Sequence, residues 1–104
     1  MNTEKLRKEL EIDEGVKYEI YLDHLGLPTF GIGHLITEDD AEHGMEVGTE
    51  VSEERVNECF ESDVETVLHE CETLYPDYYD LPEEVQLIIA NMMFNMGLTR
   101  LSKF

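Results

Sequence analysis

The chain has 104 residues and a formal charge of −18, from 25 acidic and 7 basic side chains. That balance excludes nucleic acid as an expected partner, because phosphate contacts need cations, and no apolar run reaches the ~20 residues that a membrane span requires. A chain of this size is one domain with a modest core, and a hydrophobic content of 41% marks it as folded. No Lys or Arg occurs between Glu38 and Glu54, or between Arg55 and Arg100. These stretches read as a solvated acidic surface that favours solubility. The N-terminus, M-N-T-E-K-L-R-K-E-L-E, lacks the apolar segment of a secretory signal. Synthesis in a cytoplasm is therefore expected.

Residues 3 to 13 read as a first helix, with Thr3 as N-cap and Leu6 and Leu10 as the apolar stripe. Gly15 ends it directly after Glu14. A strand follows in which Val16, Tyr18, Ile20 and Leu22 alternate with Lys17, Glu19, Tyr21 and Asp23, the period of a half-buried strand. A turn at His24-Leu25-Gly26 leads to a second strand, Leu27 to His34, with Pro28 and Thr29 at its start and Gly31 and Gly33 inside. Residues 36 to 50 read as an acidic loop with room for a short third strand at Met45 to Val47.

Ser52 starts the longest helix, with Glu53 and Glu54 in its first turn, where the helix dipole favours acids. Val56, Phe60, Val64, Val67, Leu68, Cys71 and Tyr75 recur at helical steps until Pro76. After a link, P-D-Y-Y-D, Pro82 opens a last helix that is apolar nearly all round from Val85 to Met96 and ends at Gly97. A helix without a polar face is expected to be buried on every side, by this chain, a second copy or another polypeptide. The tail L-T-R-L-S-K-F starts a further element.

Cys59 and Cys71 share one helix, and at ~1.5 Å per residue their Cα atoms are roughly 18 Å apart, too far for a disulfide. They read as reduced core residues. Residues 39 to 50 have Gly and Glu at the sixth and twelfth places of a calcium loop, but Ala41 and His43 stand where oxygen ligands belong. The four histidines and two cysteines show no zinc spacing, so neither a metal nor a cofactor is expected. An acid followed by glycine, as at Glu14-Gly15, reads first as a helix end. Gly31 and Gly33 read as close-approach positions or as a kink in the hairpin.

The runs I-D-E-G at 12 to 15, I-Y-L-D at 20 to 23, P-T-F-G-I-G-H-L at 28 to 35, F-E-S-D-V at 60 to 64 and N-M-M-F-N-M-G at 91 to 97 together resemble the T-even bacteriophage type of lysozyme, the endolysins of glycoside hydrolase family 24. The resemblance implies an α+β, lysozyme-like fold: a short helix, a β-hairpin or small antiparallel sheet, a connecting helix and a buried apolar helix that begins a second lobe. It divides the single domain into a catalytic lobe at 1–50, a connecting helix at 51–75 and the start of a helical lobe at 76–104. In the family more helices complete that lobe, so an incomplete lobe is expected here. It also implies hydrolysis of peptidoglycan for lysis of a host wall, with Glu14, Asp23 and Thr29 as the catalytic Glu, Asp and Thr and an inverting outcome. Leu35, Phe94 and Asn95 are implied to contact substrate, and His34 to pair with Asp63. Passage from the host cytoplasm to the periplasm or wall would need a route such as a phage holin. The other expectation is a weakly active or inactive module acting in binding or assembly, or one active only as an oligomer.

Overall fold

The computed structural model describes residues 2–101, with side chains described to residue 97. The elements are helix α1 (Thr3–Glu14), strands β1 (Lys17–Leu22), β2 (Pro28–Gly31) and β3 (His34–Leu35), helix α2 (Glu53–Leu74), a short 3-10 helix (Tyr78–Asp80) and helix α3 (Glu83–Leu101). The strands form one antiparallel sheet in the order β1-β2-β3, so the protein is α+β and consistent with a lysozyme-like fold. The chain divides into two compact units, one spanning Glu11–Glu61 and one made of the first ten residues with the chain from Ser62 onward.

In the first unit, Gly15 ends α1 with φ of 75°, its N–H donating to Glu11 O at 2.9 Å. That left-handed conformation is the reason a glycine follows Glu14. The alternation of β1 is thinner than its sequence suggests: Ile20 is fully buried, but Tyr18 and Leu22 are 47% and 54% exposed. A register irregularity between Lys17 and Tyr21 interrupts the strict two-residue period.

The expected second strand, Leu27 to His34, is two strands. Gly31, the last residue of β2, and Gly33 have φ of 66° and 64°, in the left-handed region where an extended strand cannot continue. The chain reverses between them, so Phe30 pairs with His34 and Thr29 with Leu35. Gly31 is also a close approach, since a Cβ there would lie 3.0 Å from Cγ1 of Val56. No strand forms at Met45 to Val47, where Met45 and Val47 are exposed. The pairing falls a few residues later, through Gly48 N–H to Ile20 O at 2.7 Å, Ile20 N–H to Thr49 O at 2.9 Å and Val51 N–H to Tyr18 O at 2.9 Å. Val51 is the reason, because it supplies the buried side chain that residues 45–47 do not.

The acidic loop is tied to α2 by Arg55. Its Nε and Nη2 donate to the two oxygens of Glu42 at 2.8 and 3.0 Å, Nη2 also reaches Asp40 Oδ1 at 3.3 Å, and Nη1 meets Glu58 at 2.7 Å. A bidentate guanidinium–carboxylate pair of low exposure is stronger than a surface ion pair. The hydrogen bond from Arg55 holds the Glu42 carboxyl below its usual range. Ser52 caps α2 as expected, its Oγ accepting from Arg55 N–H at 3.1 Å.

In the second unit the core contains Leu6, Leu10, Val64, Val67, Cys71, Tyr78, Leu87, Ala90 and Met93. The N-cap of α1 is Asn2 rather than Thr3. Asn2 Oδ1 accepts from Lys5 N–H at 3.0 Å, three residues on, which is the capping position. Asn2→Ala is therefore expected to lower stability by about 1 kcal/mol, and Thr3→Ala by a few tenths at most. Thermal melts of the two variants check this.

The link P-D-Y-Y-D is more than a spacer. Tyr78 is fully buried and its Oη donates to the carbonyl of Gln86. Burial pushes the Cys71 thiol up to about 11 and the Tyr78 hydroxyl higher still. Helix α3 is not buried on every side. Leu87, Ala90 and Met93 are buried along one face, whereas Val85 and Ile88 on the opposite face are 38% and 60% exposed. Apolar composition all round shows only that burial is possible; which face is covered is decided by the neighbouring elements. Gly97, at φ 76° and ψ 166°, interrupts α3 where the sequence placed its end. The Leu98 side chain and the tail from Ser102 lie outside the described residues.

Candidate active site

The unit Glu11–Glu61 carries the predicted catalytic residues, Glu14, Asp23 and Thr29, on three adjoining features. Glu14 is the last residue of α1 and half-buried. It abuts the β2–β3 turn so closely that a Cβ on Gly33 would sit 2.9 Å from its Oε2. Gly33 is thus required both for its backbone conformation and for the room it leaves to this carboxylate. Burial raises the pKa of Glu14, and the charges of Asp13 and Asp23 add to the rise while His24 opposes it.

Asp23 follows β1 and organises the hairpin turn. Its Oδ1 accepts the N–H groups of Leu25 and Leu27, both at 2.9 Å, the side-chain turn characteristic of aspartate. These donors, Leu27 first, hold the Asp23 carboxyl below its ordinary range. The side chain is therefore structural as well as available for chemistry. Asp23→Asn keeps an acceptor for both N–H groups and is expected to retain the fold while losing about 10²-fold or more in rate. Asp23→Ala is expected to lose rate and also lower the melting midpoint. Circular dichroism melts beside lysis rates separate the two effects.

Cross-strand pairing sets Tyr21 opposite Thr29, and Thr29 opposite Leu35, so the three residues form a row on one face of the sheet. Thr29 is 3% exposed and Oγ1 donates to Leu27 O at 3.0 Å. Leu35 is 45% exposed, open for contact with a ligand. Tyr21 is the residue that sequence reasoning missed. Burial raises its phenol pKa, and the charges of Glu14 and Asp23 raise it further. Its position two residues before Asp23, on the same side of an alternating strand, was the available signal. The ammonium of Lys17 lies 4.5 Å from the centre of its ring.

Phe94 and Asn95 lie on α3 in the other compact unit. Asn95 Nδ2 donates to Asn91 O at 2.9 Å and to Asn91 Oδ1 at 3.0 Å. Within the first unit, His34 Nε2 is 2.9 Å from Asp40 Oδ2, a partner the sequence did not suggest. Asp63 belongs to the second unit. Of the acids between residues 39 and 50, Asp40 is engaged with His34, Thr37 and Arg55, and Glu42 with Arg55.

The chain is similar to proteins of known type. "Probable T4-type lysozyme 2" of Dictyostelium discoideum is 33% identical, over 95% of this chain and 69% of the relative. "Probable T4-type lysozyme 1" of the same organism is 32% identical, over 91% and 67%. "Pre-baseplate central spike protein Gp5" of Enterobacteria phage T4 is 26% identical, over 91% of this chain and 20% of that protein. Residues 11–103 match the family Phage lysozyme, and with two relatives above 30% identity along most of its length the chain belongs to that family.

Proposed function

We propose that this chain is a peptidoglycan hydrolase, a muramidase cleaving the β-1,4 bond between N-acetylmuramic acid and N-acetylglucosamine. Glu14 is its general acid, and Asp23 with Thr29 positions the attacking water. The observation that carries this reading is the setting of two carboxyl groups in one compact unit, Glu14 at a helix end against the β2–β3 turn and Asp23 in the hairpin turn accepting two backbone N–H groups. Glu14 is held protonated to higher pH by burial, and Asp23 is held ionised to lower pH by backbone N–H groups. An acid and a base poised in this way can work together between their two pKa values. The Thr29 hydroxyl has its proton committed to Leu27 O, so towards water it acts as an acceptor and fixes one water hydrogen. The activity is tested on purified peptidoglycan by loss of turbidity, followed by reduction of the new ends and mass analysis. New reducing ends at N-acetylmuramic acid support the reading; new ends at N-acetylglucosamine, or no cleavage by a folded protein, overturn it.

A second reading, a weakly active or inactive module acting in binding or assembly or a lysozyme active only as an oligomer, is favoured by the exposure of Val85 and Ile88 on α3. One relative is named as a spike protein. Sedimentation across a concentration series distinguishes the readings, because a monomer at all concentrations removes this one.

A further inference from the structure

The unit Glu11–Glu61 contains a second group of chemically active side chains that the hydrolysis does not use. His34 on β3, Asp40 in the acidic loop and Cys59 on α2 each bring one ligand atom to a common point, and these atoms all lie within 4.8 Å of one another. Cys59 is 4% exposed, and the side chains of His34 and Asp40 are 13% and 15% exposed. We propose that His34, Asp40 and Cys59 form a binding site for a thiophilic divalent cation, zinc being the ion that fits, with water in the fourth position.

The ligand set argues for the class of ion. One imidazole, one carboxylate and one thiolate suit zinc or cobalt, whereas magnesium and calcium take oxygen ligands throughout. The spacing argues for a site that is nearly formed. Zinc bonds of about 2.0–2.3 Å in a tetrahedron put neighbouring ligand atoms roughly 3.3–3.8 Å apart. His34 Nε2 and Asp40 Oδ2 stand at 2.9 Å, so admitting the ion requires them to part by about half an ångström.

The surroundings hold the ligands in place. Asp40 Oδ2 also accepts from Thr37 N–H at 2.9 Å, and Oδ1 from Arg55 Nη2 at 3.3 Å. Such outer contacts orient a ligating carboxylate. The Arg55 charge does not bar a cation, because it is offset by Glu42 at 2.8 Å and Glu58 at 2.7 Å. On binding, the metal takes the place of the proton between His34 Nε2 and Asp40, and the thiol proton of Cys59 leaves to solvent. The dication then faces one carboxylate and one thiolate, which neutralise it. The bound ion would join β3, the acidic loop and α2, and it would act as a staple beside the turn that carries Gly33. The inference stands independently of the proposed hydrolysis.

The test uses the full chain with a non-chelating reductant, titrated with zinc chloride and with cobalt chloride. One cobalt per chain with a thiolate-to-cobalt charge-transfer band is expected. Zinc at a hundredfold excess over its dissociation constant should raise the melting midpoint by about 10 °C or more, and calcium and magnesium should not. Cys59→Ser and Asp40→Asn should each weaken zinc by about 100-fold or more, and Cys71→Ser should leave it unchanged. Cobalt binding without the charge-transfer band, or an equal rise with calcium, would mean that metal sits on the acidic surface and would overturn the proposal. The spectrum of the unaltered chain decides this even if a variant fails to fold.

Discussion

Glu14→Gln is expected to lower the rate of peptidoglycan lysis by about 10²- to 10⁴-fold, the contribution of a positioned general acid, with the fold intact. The amide is nearly the same size and stands at the same helix end, but it cannot release a proton to the leaving oxygen. The same substitution has a stability signature of known sign. Burial raises the pKa of Glu14 in the folded chain, so the folded state binds that proton more tightly than the unfolded state. The stability this proton confers is fully present below the ordinary glutamate range and is lost as pH rises through the folded pKa. Glutamine removes the loss. The variant should therefore gain stability relative to wild type as pH rises from 4 to 7, and the two should differ least at the acid end. Melts at both pH values, set beside lysis rates, check both claims. A variant that loses activity and also loses stability at neutral pH would show that Glu14 is held for structural reasons.

Gly33→Ala is expected to have the second-largest effect, through geometry alone. At φ 64° an L-residue pays about 1–2 kcal/mol in backbone energy, and the new methyl would sit 2.9 Å from Glu14 Oε2. The carboxylate must move, and a displacement of about 1 Å at a reacting group can cost about 10²-fold in rate. A total destabilisation of about 2–3 kcal/mol is expected. Gly26→Ala supplies the control: its φ is 78° and nothing lies within 4 Å of the added Cβ. That variant should show a similar backbone cost and the full rate. Lysis rates of the two variants, compared at equal folded fraction, isolate the effect of crowding Glu14. Combining Gly33→Ala with Glu14→Gln should cost little further rate, since both act on one group.

The acidic loop shows why net charge alone is a poor guide to this protein. Read from the sequence, residues 38 to 54 are a run of acids without a cation. In the structure Arg55, one residue beyond that run, gathers Asp40 and Glu42 into one network with Glu58. Part of the apparent surface charge is thus internal structure, and removing Arg55 would leave two poorly exposed carboxylates facing each other.

What the sequence determined by itself are the features whose physics is short-range. Leu6 and Leu10, Val64, Val67 and Cys71 are buried at the helical steps they occupy. Ser52 caps α2, and Gly15 and Gly97 interrupt their helices. The motif residues Glu14, Asp23 and Thr29 fall on a helix end, a turn and a strand start, and those positions were legible from local patterns. Tertiary structure alone decided the features that depend on the path of the chain. Two glycines inside an apparent strand could be a kink or a reversal, and the approach of Glu14 and Val56 to that turn requires the reversal. One partner of His34, Asp40, is six residues away in a loop without a period, and Cys59 reaches the same point from α2. An ion pair or a ligand cluster across such separations leaves no spacing in the sequence, because its geometry is set by how loop and helix pack. For the same reason, the apolar circumference of α3 could not reveal that Val85 and Ile88 face outward: hydrophobicity records which surfaces gain from burial, and only the packed chain decides which of them obtain it.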